Sequence, residues 1–513
     1  MKKKYMQVVS MFLLLTLLCT GCGGASEDSS KDKDTLTVAV SADPPTLDPH
    51  SASLAHTVNA LNPVYETLVR YTEDGELIPL LAESWEQLDE LSWKFNLRKG
   101  VKFHNGEEMK SSDVLYSFQR ATGSDGALVS HITYILDAQN SEAVDDYTVI
   151  IRTKEPFAPF LQYLSHMACA VVSEKEFTEN TEKASQNPCG TGPFKFQEWK
   201  KNDRVTYVKN EDYWGEKAKY SNLVIRTIVE ANSRVIELES GSIDIAYEIP
   251  ANDVTRIKGN KELKIADRPS TTYEYFGMNT SKEPFNNPEF RMAIDLAIDE
   301  EELVKSVYKE TAIYTPGPVT PDMKYFDDSD VECRYDPAKA KEILNQLGIK
   351  DGTKFRLTTF EAKHRVDSAT ILQSMLNEVG IELEIESLEL AAWSNKLGQG
   401  DTDFFIAGFG AVGFSDPDMN VYGPLHSNNI GLNNYCFYQN EELDNMIDST
   451  RKISDGEERE ALFKDIQKLI RKEVPMIPYA NTMQVVGLRK NVQGFKVSPA
   501  QNHFVNNVYF GEK

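Results

Sequence analysis

The sequence contains few of the residue types that usually bind metals or carry covalent catalysis. It has six cysteines and eight histidines in 513 residues. Outside the N-terminal segment, no cysteine lies in a C-x-x-C spacing and no histidine lies in an H-x-H or H-E-x-x-H motif. A G-x-S-x-G nucleophile motif and a Walker phosphate loop are also missing. The chain therefore offers no recognisable metal centre or hydrolase motif, and we expect no cofactor.

Positive charge is also scarce relative to negative charge. Lysine and arginine number 55 against 79 acidic residues, which gives a formal net charge of −24. Such a surface repels polyanions, so it argues against a nucleic-acid partner and is typical of a solvated exported protein. No second hydrophobic run of 18 residues follows the N-terminal one, so the sequence predicts no further membrane span. The length favours two or three domains.

The N-terminal segment has the features of an export signal. Three lysines at positions 2–4 precede an apolar run at 6–18, and residues 19–22 read Cys-Thr-Gly-Cys. The run is too short for a membrane span and is typical of a signal-peptide core. Its ending resembles a bacterial lipoprotein signal, which implies a signal peptide at 1–21 and lipid attachment at Cys22. The alternative is cleavage after a small residue and release of a soluble protein.

Residues 22–34 are polar and almost lack apolar side chains, so we expect a flexible tether. At about 3.4 Å per residue, the tether reaches roughly 40 Å from its attachment point. Together the two N-terminal segments predict an extracytoplasmic protein that is lipid-anchored to the cell membrane.

Four cysteines lie beyond the N-terminal segment: Cys169, Cys189, Cys333 and Cys436. Four cysteines allow three pairings. The pair Cys169–Cys189 closes the shortest loop and is the preferred prediction.

Three glycines, Gly408, Gly410 and Gly413, form a G-x-G-x-x-G spacing after an apolar run at 404–407. In a dinucleotide-binding fold, the third glycine opens a helix whose N-terminus holds a pyrophosphate. Here Ser-Asp-Pro at 415–417 follows instead, which is turn chemistry. The sequence therefore argues against a nucleotide site, and these glycines need another role.

Strand and helix patterns alternate along the chain. Period-two patterns predict strands at 36–40, 92–97, 148–152 and 204–209. Helical spacing predicts helices at 112–120, 371–379 and 457–472, with a strand at 381–385. Asp336 and Pro337 supply the N-cap and N1 residues of another helix, which Gly348 closes. This alternation predicts an α/β class.

Several separated sequence blocks occur in a characteristic order. They are LLAESW at 80–85, WKFNLRKGVKF at 93–103, HNG at 104–106, NPCGTGPF at 187–194, ESGSID at 239–244, RMAIDLAID at 291–299 and YDPAKAK at 335–341. Their order and spacing resemble the bacterial extracellular solute-binding proteins of family 5, the peptide-binding and nickel-binding components of ABC importers. The resemblance covers essentially the whole mature chain.

The resemblance implies an α/β fold of the periplasmic-binding-protein type (type II, cluster C). Two main lobes close over a cleft, and an extra domain is inserted. Lobe I would comprise 35–58, 185–270 and 480–513, the inserted domain II 59–184, and lobe III 271–479. The implied function is capture of a peptide or peptide-like solute and its delivery to a membrane permease and ATPase complex, without catalysis.

The same resemblance gives the glycines a role in ligand binding. In peptide binders of this family the corresponding segment lines the cleft and pairs with the ligand backbone, as in strand addition. Glycine suits such a wall because another backbone must approach closely. The implied ligand-binding residues are Ser53, Leu54, Ala55, Trp393, Gly408, Phe409, Gly410 and Ala411.

The sequence departs from the family at the residue that holds the amino group of a peptide. The expected aspartate falls on Val412 or Gly413, and Ile406 replaces an arginine in the preceding strand. Asp416 and Asp418 follow as either turn-forming residues or displaced anchors. A modified peptide, a glycan or a nickel chelate are therefore alternative ligands. A ligand-sensing lipoprotein and an exported hydrolase are alternative functions.

Overall fold

Two long antiparallel strands run through the middle of the computed structural model, which describes residues 34–123, 133–410 and 412–511. These strands, β12 and β17, pair from Leu263 opposite Arg489 to Gly277 opposite Met476. Their register shifts between Pro269 and Tyr273. They join the two parts of an eleven-stranded sheet, whose order is β15-β14-β16-β12-β17-β11-β1-β10-β9-β8, with β13 on β17.

The strands of this sheet fall on the two sides of the central pair. On the β17 side lie β11, β1, β10, β9 and β8, which we call the first half-sheet, and on the β12 side lie β16, β14 and β15, which we call the second half-sheet; the short β13 pairs with the β17 edge at 480–482. The bounds are β1 Thr35–Val40, β8 Phe194–Lys200, β9 Arg204–Lys209, β10 Asn222–Thr227, β11 Ile245–Ala246, β12 Leu263–Met278, β13 Ala312–Tyr314, β14 Thr353–Phe360, β15 Ile381–Leu388, β16 Phe404–Phe409 and β17 Met476–Arg489.

Three smaller sheets complete the strands of the described chain. A four-stranded sheet has the order β4-β5-β7-β6, and two pairs are formed by β2 with β3 and by β18 with β19. The bounds are β2 Val69–Tyr71, β3 Leu77–Pro79, β4 Ala82–Asp89, β5 Ser92–Leu97, β6 Glu142–Asp145, β7 Thr148–Arg152, β18 Val492–Gln493 and β19 Tyr509–Phe510.

Helices cover the sheets and connect their strands. In the described chain they are α1 Ala55–Leu61, α2 Ser111–Thr122, α3 Phe160–Leu164, α4 Glu174–Gln186, α5 Ala231–Ser240, α6 Ala251–Lys258, α7 Pro288–Leu296, α8 Glu300–Val307, α9 Pro337–Gln346, α10 Lys363–Glu378, α11 Leu390–Gly398, α12 Asp418–Leu425, α13 Glu441–Thr450 and α14 Glu457–Glu473. The predicted capping of α9 is confirmed, since the Asp336 side chain accepts a hydrogen bond from the Lys339 amide and Gly348 has a φ of +76°.

One predicted helix is longer than its apolar pattern indicates. The prediction begins at residue 371, but α10 begins at Lys363. The first two turns of α10 bury Arg365 against Glu274 rather than an apolar stripe. A hydrophobic-periodicity argument does not see a face that is buried through an ion pair.

Strand β16 is buried on both faces, which explains its run of large apolar residues. Phe404 and Ile406 belong to one hydrophobic core, whereas Phe405 and Ala407 belong to the core on the opposite face. Alternate side chains of a strand point to opposite faces, so a strand covered on both sides needs a continuous apolar run.

The predicted disulfide between Cys169 and Cys189 is wrong. All four cysteines of the described chain are free. Cys169 lies inside the core of the four-stranded sheet, and Cys189 lies half-buried in the turn before β8. Burial raises the pKa of the Cys169 thiol to about 12 and that of Cys189 to about 11. Loop length alone did not indicate where the side chains point.

The predicted signal peptide, the lipidation residue Cys22 and the tether up to residue 33 lie outside the described residues. From Thr35 onward the chain forms one compact unit, so the predicted lobe boundaries stay a prediction. Among the described residues, no helix combines the length and the apolar character needed to cross a bilayer.

Candidate functional site

One edge of β16 lacks a strand partner along the glycine-bearing segment. On one side β16 pairs with β12 over its whole length, from Tyr273 opposite Phe409 to Met278 opposite Phe404. On the other side β14 pairs only with Phe404 and Phe405. Within the described chain, residues 406–409 have no strand partner on this side; Ile406 and Ala407 are buried, whereas Gly408 and Phe409 are half-buried, so a further extended chain can add at 408–409.

Gly408 lies beside a buried ion pair. A Cβ atom at Gly408 would come 2.5 Å from Oε1 of Glu274 and 2.7 Å from Nη2 of Arg365. Arg365 Nε lies 2.8 Å from Glu274 Oε2, and Arg365 Nη2 donates to Glu274 Oε1 at 3.0 Å. The position thus requires glycine because the protein's own charged side chains occupy the space. The expectation that a ligand backbone lies along this segment stays a prediction.

The opposite charges of Glu274 and Arg365 stabilise each other in a buried position. Glu274 and Arg365 are both buried. Burial lowers the pKa of Arg365, but the charge and hydrogen bond of Glu274 outweigh this and leave the pKa above its ordinary value. His364 Nε2 lies 4.0 Å from Glu274 Oε1 at the rim of the pair. The open strand edge therefore adjoins two fixed, compensating charges.

Trp393 packs next to the same ion pair. Its ring lies 5.2 Å from that of Phe360 and 6.1 Å from that of Tyr435. The Arg365 guanidinium lies 4.5 Å from the Phe360 ring and 5.6 Å from the Trp393 ring. The indole Nε1 of Trp393 is buried and has no hydrogen-bond partner in the described chain. A buried donor without an acceptor is uncommon in folded proteins.

Gly410 and Phe409 are held by neighbouring elements of the protein. A Cβ atom at Gly410 would lie 2.7 Å from Cα of Thr272 and would overlap its hydroxyl oxygen. The Phe409 ring, half-buried, lies 6.5 Å from that of Tyr273 and packs on Gly423 of α12. Ala411, the last predicted residue of this wall, lies outside the described residues.

The second predicted wall precedes helix α1. Ser53 and Leu54 are exposed, and Leu54 has the extended dihedrals φ −106° and ψ 142°. Ala55 is the first residue of α1 and is half-buried. Extended backbone with an exposed side chain suits a segment that faces a ligand chain.

Two hydrogen bonds connect helix α1 to Thr272, which lies beside Gly410. From α1, Asn59 Nδ2 donates to the carbonyl of Gln501 at 3.0 Å. Gln501 Nε2 then donates to Oγ1 of Thr272 at 2.9 Å. Thr272 is the residue that leaves no room for a side chain at Gly410. The glycine strand and the start of α1 are thus connected through the C-terminal segment.

Both aspartates after the glycines are used inside the protein. Arg459 Nη1 lies 2.6 Å from Asp416 Oδ2, and Asp416 Oδ1 accepts a hydrogen bond from the Asp418 amide at 2.9 Å. Asp418 lies 3.1 Å from Arg451 Nε and accepts a hydrogen bond from the Tyr163 hydroxyl at 2.9 Å. Burial raises the pKa of Asp418 to about 7. The two residues form a turn and internal ion pairs.

The expectation against a nucleotide site agrees with the local geometry. Gly413 has a φ of +83° in a loop, and helix α12 begins five residues later at Asp418. The Gly413 amide donates to the carbonyl of Ala500 at 2.8 Å, so this amide is not available for a pyrophosphate.

Two further features of the described chain bear on the choice of ligand. A cavity of about 40 Å³ is lined by residues including Asn62, Arg70 and Asn502, but by none of the predicted wall residues, so it does not mark the predicted cleft. Among the described residues, no group of three or more histidine, cysteine, aspartate or glutamate side chains is arranged to hold a metal ion.

Solved structures with similar folds define the class of protein. The ABC transporter-associated periplasmic binding protein DppA from Helicobacter pylori, in complex with the peptide STSA, aligns with a TM-score of 0.80 at 29% identity, covering 94% of this chain and 99% of that one. NikZ from Campylobacter jejuni, in complex with Ni(L-His), aligns with a TM-score of 0.79 at 26% identity, covering 93% and 99%. The fold is an α/β periplasmic-binding fold of type II.

The sequence comparison gives the family. The model of the bacterial extracellular solute-binding proteins, family 5, matches residues 76–431. The chain therefore belongs to this family. The glutathione-binding protein GsiB of Salmonella choleraesuis is 29% identical over 475 residues, covering 90% of this chain and 92% of that protein. The predicted resemblance is confirmed, and the chain is a solute-binding protein.

The charged pair at the wall was not predicted from the sequence. Glu274 and Arg365 are separated by 91 positions, and neither lies in one of the blocks that carry the resemblance. Only the pairing of β16 with β12 places Glu274 opposite Gly408. A glycine in a strand that is otherwise made of large residues is the one signal that a bulky neighbour lies beside it.

Proposed function

We propose that this protein captures a peptide or peptide-like solute outside the cytoplasm and delivers it to the permease and ATPase of an ABC importer. The observation that carries the proposal is the edge of β16 at 406–409, which has no strand partner in the described chain. Similarity to a binding protein in complex with a peptide and to a glutathione-binding protein supports the same ligand class.

In this proposal the ligand adds to β16 as a short strand. Main-chain hydrogen bonds at the half-buried residues 408–409 then provide affinity that tolerates many side chains. Trp393 and Phe409 supply aromatic surface, and the exposed backbone of Ser53 and Leu54 supports the opposite wall. The Glu274–Arg365 pair fixes the charge at the glycine wall. Recognition through the main chain does not require the aspartate that the family usually places in the loop.

We also propose the lobe boundaries and the lipid anchor given by the family resemblance. Lobe I at 35–58, 185–270 and 480–513 and lobe III at 271–479 would close on the ligand, with domain II at 59–184 beside them. The register shift of β12 between Pro269 and Tyr273 supports a hinge near 270. Lipid attachment at Cys22 and a tether at 23–34 would keep the protein next to its membrane partner.

A nickel chelate is a second candidate ligand, favoured by the fold similarity to a protein in complex with Ni(L-His). A chelate brings its own metal ligands, so a protein cluster of metal-binding side chains is not needed. In that case Trp393 and Arg365 would contact the organic chelator.

The decisive experiment begins with the full chain purified from an extracytoplasmic fraction. We expect mass spectrometry of the released small molecules to show peptides or glutathione-like compounds. Thermal shift with the peptide Ser-Thr-Ser-Ala, with reduced glutathione and with Ni(L-His)₂ then ranks the classes. A ligand at 100-fold its Kd stabilises by about 2.7 kcal/mol.

N-methylated peptides test the binding mode itself. Methylation of one backbone amide removes a donor without changing a side chain. For the best-binding peptide, we expect methylation at the amides that pair with β16 to weaken binding about tenfold per lost hydrogen bond. Methylation at a terminal amide is the control. Equal affinity of all methylated peptides would show that the ligand does not add to the strand edge, and release of only nickel complexes would favour the second candidate.

A further inference from the structure

The loop that follows the glycine strand enters the core of a different sheet. Phe414 is 1% exposed and belongs to the hydrophobic core of the four-stranded sheet. Its ring meets the Tyr163 ring edge-on at 5.0 Å and stacks on the His166 ring at 5.3 Å. A side chain only five positions after Phe409 is therefore buried by α3 and the segment after it. The loop after β16, although not β16 itself, therefore contributes to the core of the four-stranded sheet.

Polar contacts also join residues 413–418 and Arg451 to residues 157–166, and we call this contact region the junction. Asp418 accepts a hydrogen bond from the Tyr163 hydroxyl at 2.9 Å and pairs with Arg451 at 3.1 Å. The Arg451 guanidinium lies 4.8 Å from the Phe157 ring. The Ala158 amide donates to the Arg451 carbonyl at 2.6 Å. Because Asp418 and Arg451 are buried, removing either one leaves the other charge unpaired and lowers the free energy of unfolding.

The backbone of the loop is also held in place. Gln162 Nε2 donates to the Gly413 carbonyl at 3.2 Å. The Gly413 amide donates to the Ala500 carbonyl in the C-terminal segment. A Cβ atom at Gly413 would lie 3.2 Å from His166 and the residue has a positive φ, so the chain passes close to α3 here. The path of the loop is fixed by groups from two other parts of the fold.

We infer that Phe414 and Asp418 are positioning residues for the unpaired edge of β16, where the ligand binds. Together with Tyr163 and Arg451 they form a set of contacts, here called the clasp, that holds β16 in its binding position. The effect of the clasp on ligand binding rests on the proposed function, since entry of a solute requires the second half-sheet to move away from residues 157–166. Opening separates Phe414 from its core and Tyr163 from Asp418. The strength of the clasp therefore sets how often the closed arrangement forms without ligand.

Ligand affinity then depends on residues that do not touch the ligand. The apparent Kd equals the intrinsic Kd divided by the fraction of molecules in the binding-competent state. A weaker clasp lowers that fraction, and the Kd rises by the factor by which the fraction falls. Removing the buried Phe414 ring shifts the opening equilibrium by roughly 30-fold, and removing the Tyr163 hydroxyl shifts it by about tenfold.

Amide hydrogen exchange of the unliganded full chain tests the clasp without knowledge of the ligand. We expect Phe414→Ala to accelerate exchange at the Ala158 and Gly413 amides together by about 30-fold, because the Ala158 bond to Arg451 crosses the junction and the Gly413 bond to Ala500 holds the loop that carries Phe414. Tyr163→Phe should accelerate the same two amides by about tenfold. Phe414→Leu, which keeps an apolar side chain, should have a smaller effect. Amides in the ladder of β12 with β17 should keep their wild-type rates.

A buried phenylalanine away from the junction is the matched control. Phe290 packs on Phe285 and Phe355 in the second half-sheet, and Phe290→Leu should leave the two junction amides unchanged. Unchanged exchange in both Phe414→Ala and Tyr163→Phe would overturn the clasp. An equal acceleration of the β12–β17 amides would also overturn it, because the residues would then support the fold as a whole.

The affinity readout separates this inference from the proposed function. With Ser-Thr-Ser-Ala as the probe, we expect Phe414→Ala to raise the Kd and the dissociation rate while the bound complex keeps the same stoichiometry. A clasp seen by exchange, combined with no binding of any peptide, would reject the proposed ligand class and retain the clasp. Peptide binding with wild-type exchange and wild-type Kd in both variants would reject the clasp and retain the proposed ligand class.

Discussion

Breaking the Glu274–Arg365 pair gives the sharpest test of the wall beside Gly408. Replacing Glu274 by Gln removes one charge and leaves the Arg365 guanidinium buried. Loss of one partner of a buried pair costs about 3–5 kcal/mol, because the remaining charge is uncompensated. Arg365→Met should cost a similar amount, since it leaves the Glu274 carboxylate alone. We expect each single variant to show this loss of unfolding free energy.

The double variant distinguishes a charge effect from a packing effect. With Glu274→Gln and Arg365→Met together, no charge is left buried, so the loss should be smaller than the sum of the single losses by at least about 2 kcal/mol. The assay is equilibrium unfolding in urea, monitored by tryptophan fluorescence and circular dichroism. Where unfolding is irreversible, unfolding rates replace the free energies.

An exposed ion pair supplies the matched control. Lys94 Nζ lies 2.9 Å from Glu86 Oε1, with 35% and 57% of the two side chains exposed. Glu86→Gln should change stability by less than about 1 kcal/mol. If Glu274→Gln costs no more than Glu86→Gln, or if the losses of the two single variants simply add, the buried pair is not the structural element that we describe.

Three further predictions concern other parts of the molecule. Gly410→Ala should destabilise by about 1–3 kcal/mol because its Cβ would meet Thr272, and Thr272→Gly in the same chain should recover part of the loss in melting temperature. Burial and the charge of Asp295 raise the pKa of Glu300 above its ordinary value. A carboxyl group with a raised folded pKa stabilises at low pH and loses this stability as pH rises from its unfolded pKa to its folded one. Glu300→Gln should therefore flatten the decline of melting temperature between pH 5 and 8, and an unaltered slope contradicts this. Because the four described cysteines are free, a reducing agent should leave the melting temperature unchanged, and a fall would indicate a disulfide.

Local patterns predicted the elements whose burial follows a simple period. The strands at 148–152 and 204–209 and the start of the helix at 457 agree with the structure to the residue, since alternation and helical spacing mark them clearly. The capped helix α9 was also predicted, because Asp336, Pro337 and Gly348 act on their own neighbours. Helix α10 was predicted too short because its first turns are buried through Arg365.

The candidate site depended on contacts between distant segments, which a single sequence does not reveal. Gly408 and Gly410 were predicted as a wall, and the structure adds a second reason for glycine at both positions. Glu274 and Thr272 lie where a side chain at Gly408 or Gly410 would point, and contact of this wall with a ligand backbone stays a prediction. The strand pairing that brings these residues together depends on the register of β12 against β16, and no short-range pattern specifies that register.

The acidic residues near the glycines bear directly on how a ligand is held. Asp416 faces Arg459, Asp418 faces Arg451 and Tyr163, and Glu274 faces Arg365. Each carboxylate already has a cationic partner, so binding an ammonium group there would require displacing an arginine in a buried setting. The open edge of β16 needs no such exchange, because its hydrogen-bonding groups are neutral. A ligand held mainly through its main chain is therefore the arrangement that leaves every buried charge paired, and it accounts for a peptide-like ligand in a chain whose loop lacks the expected aspartate.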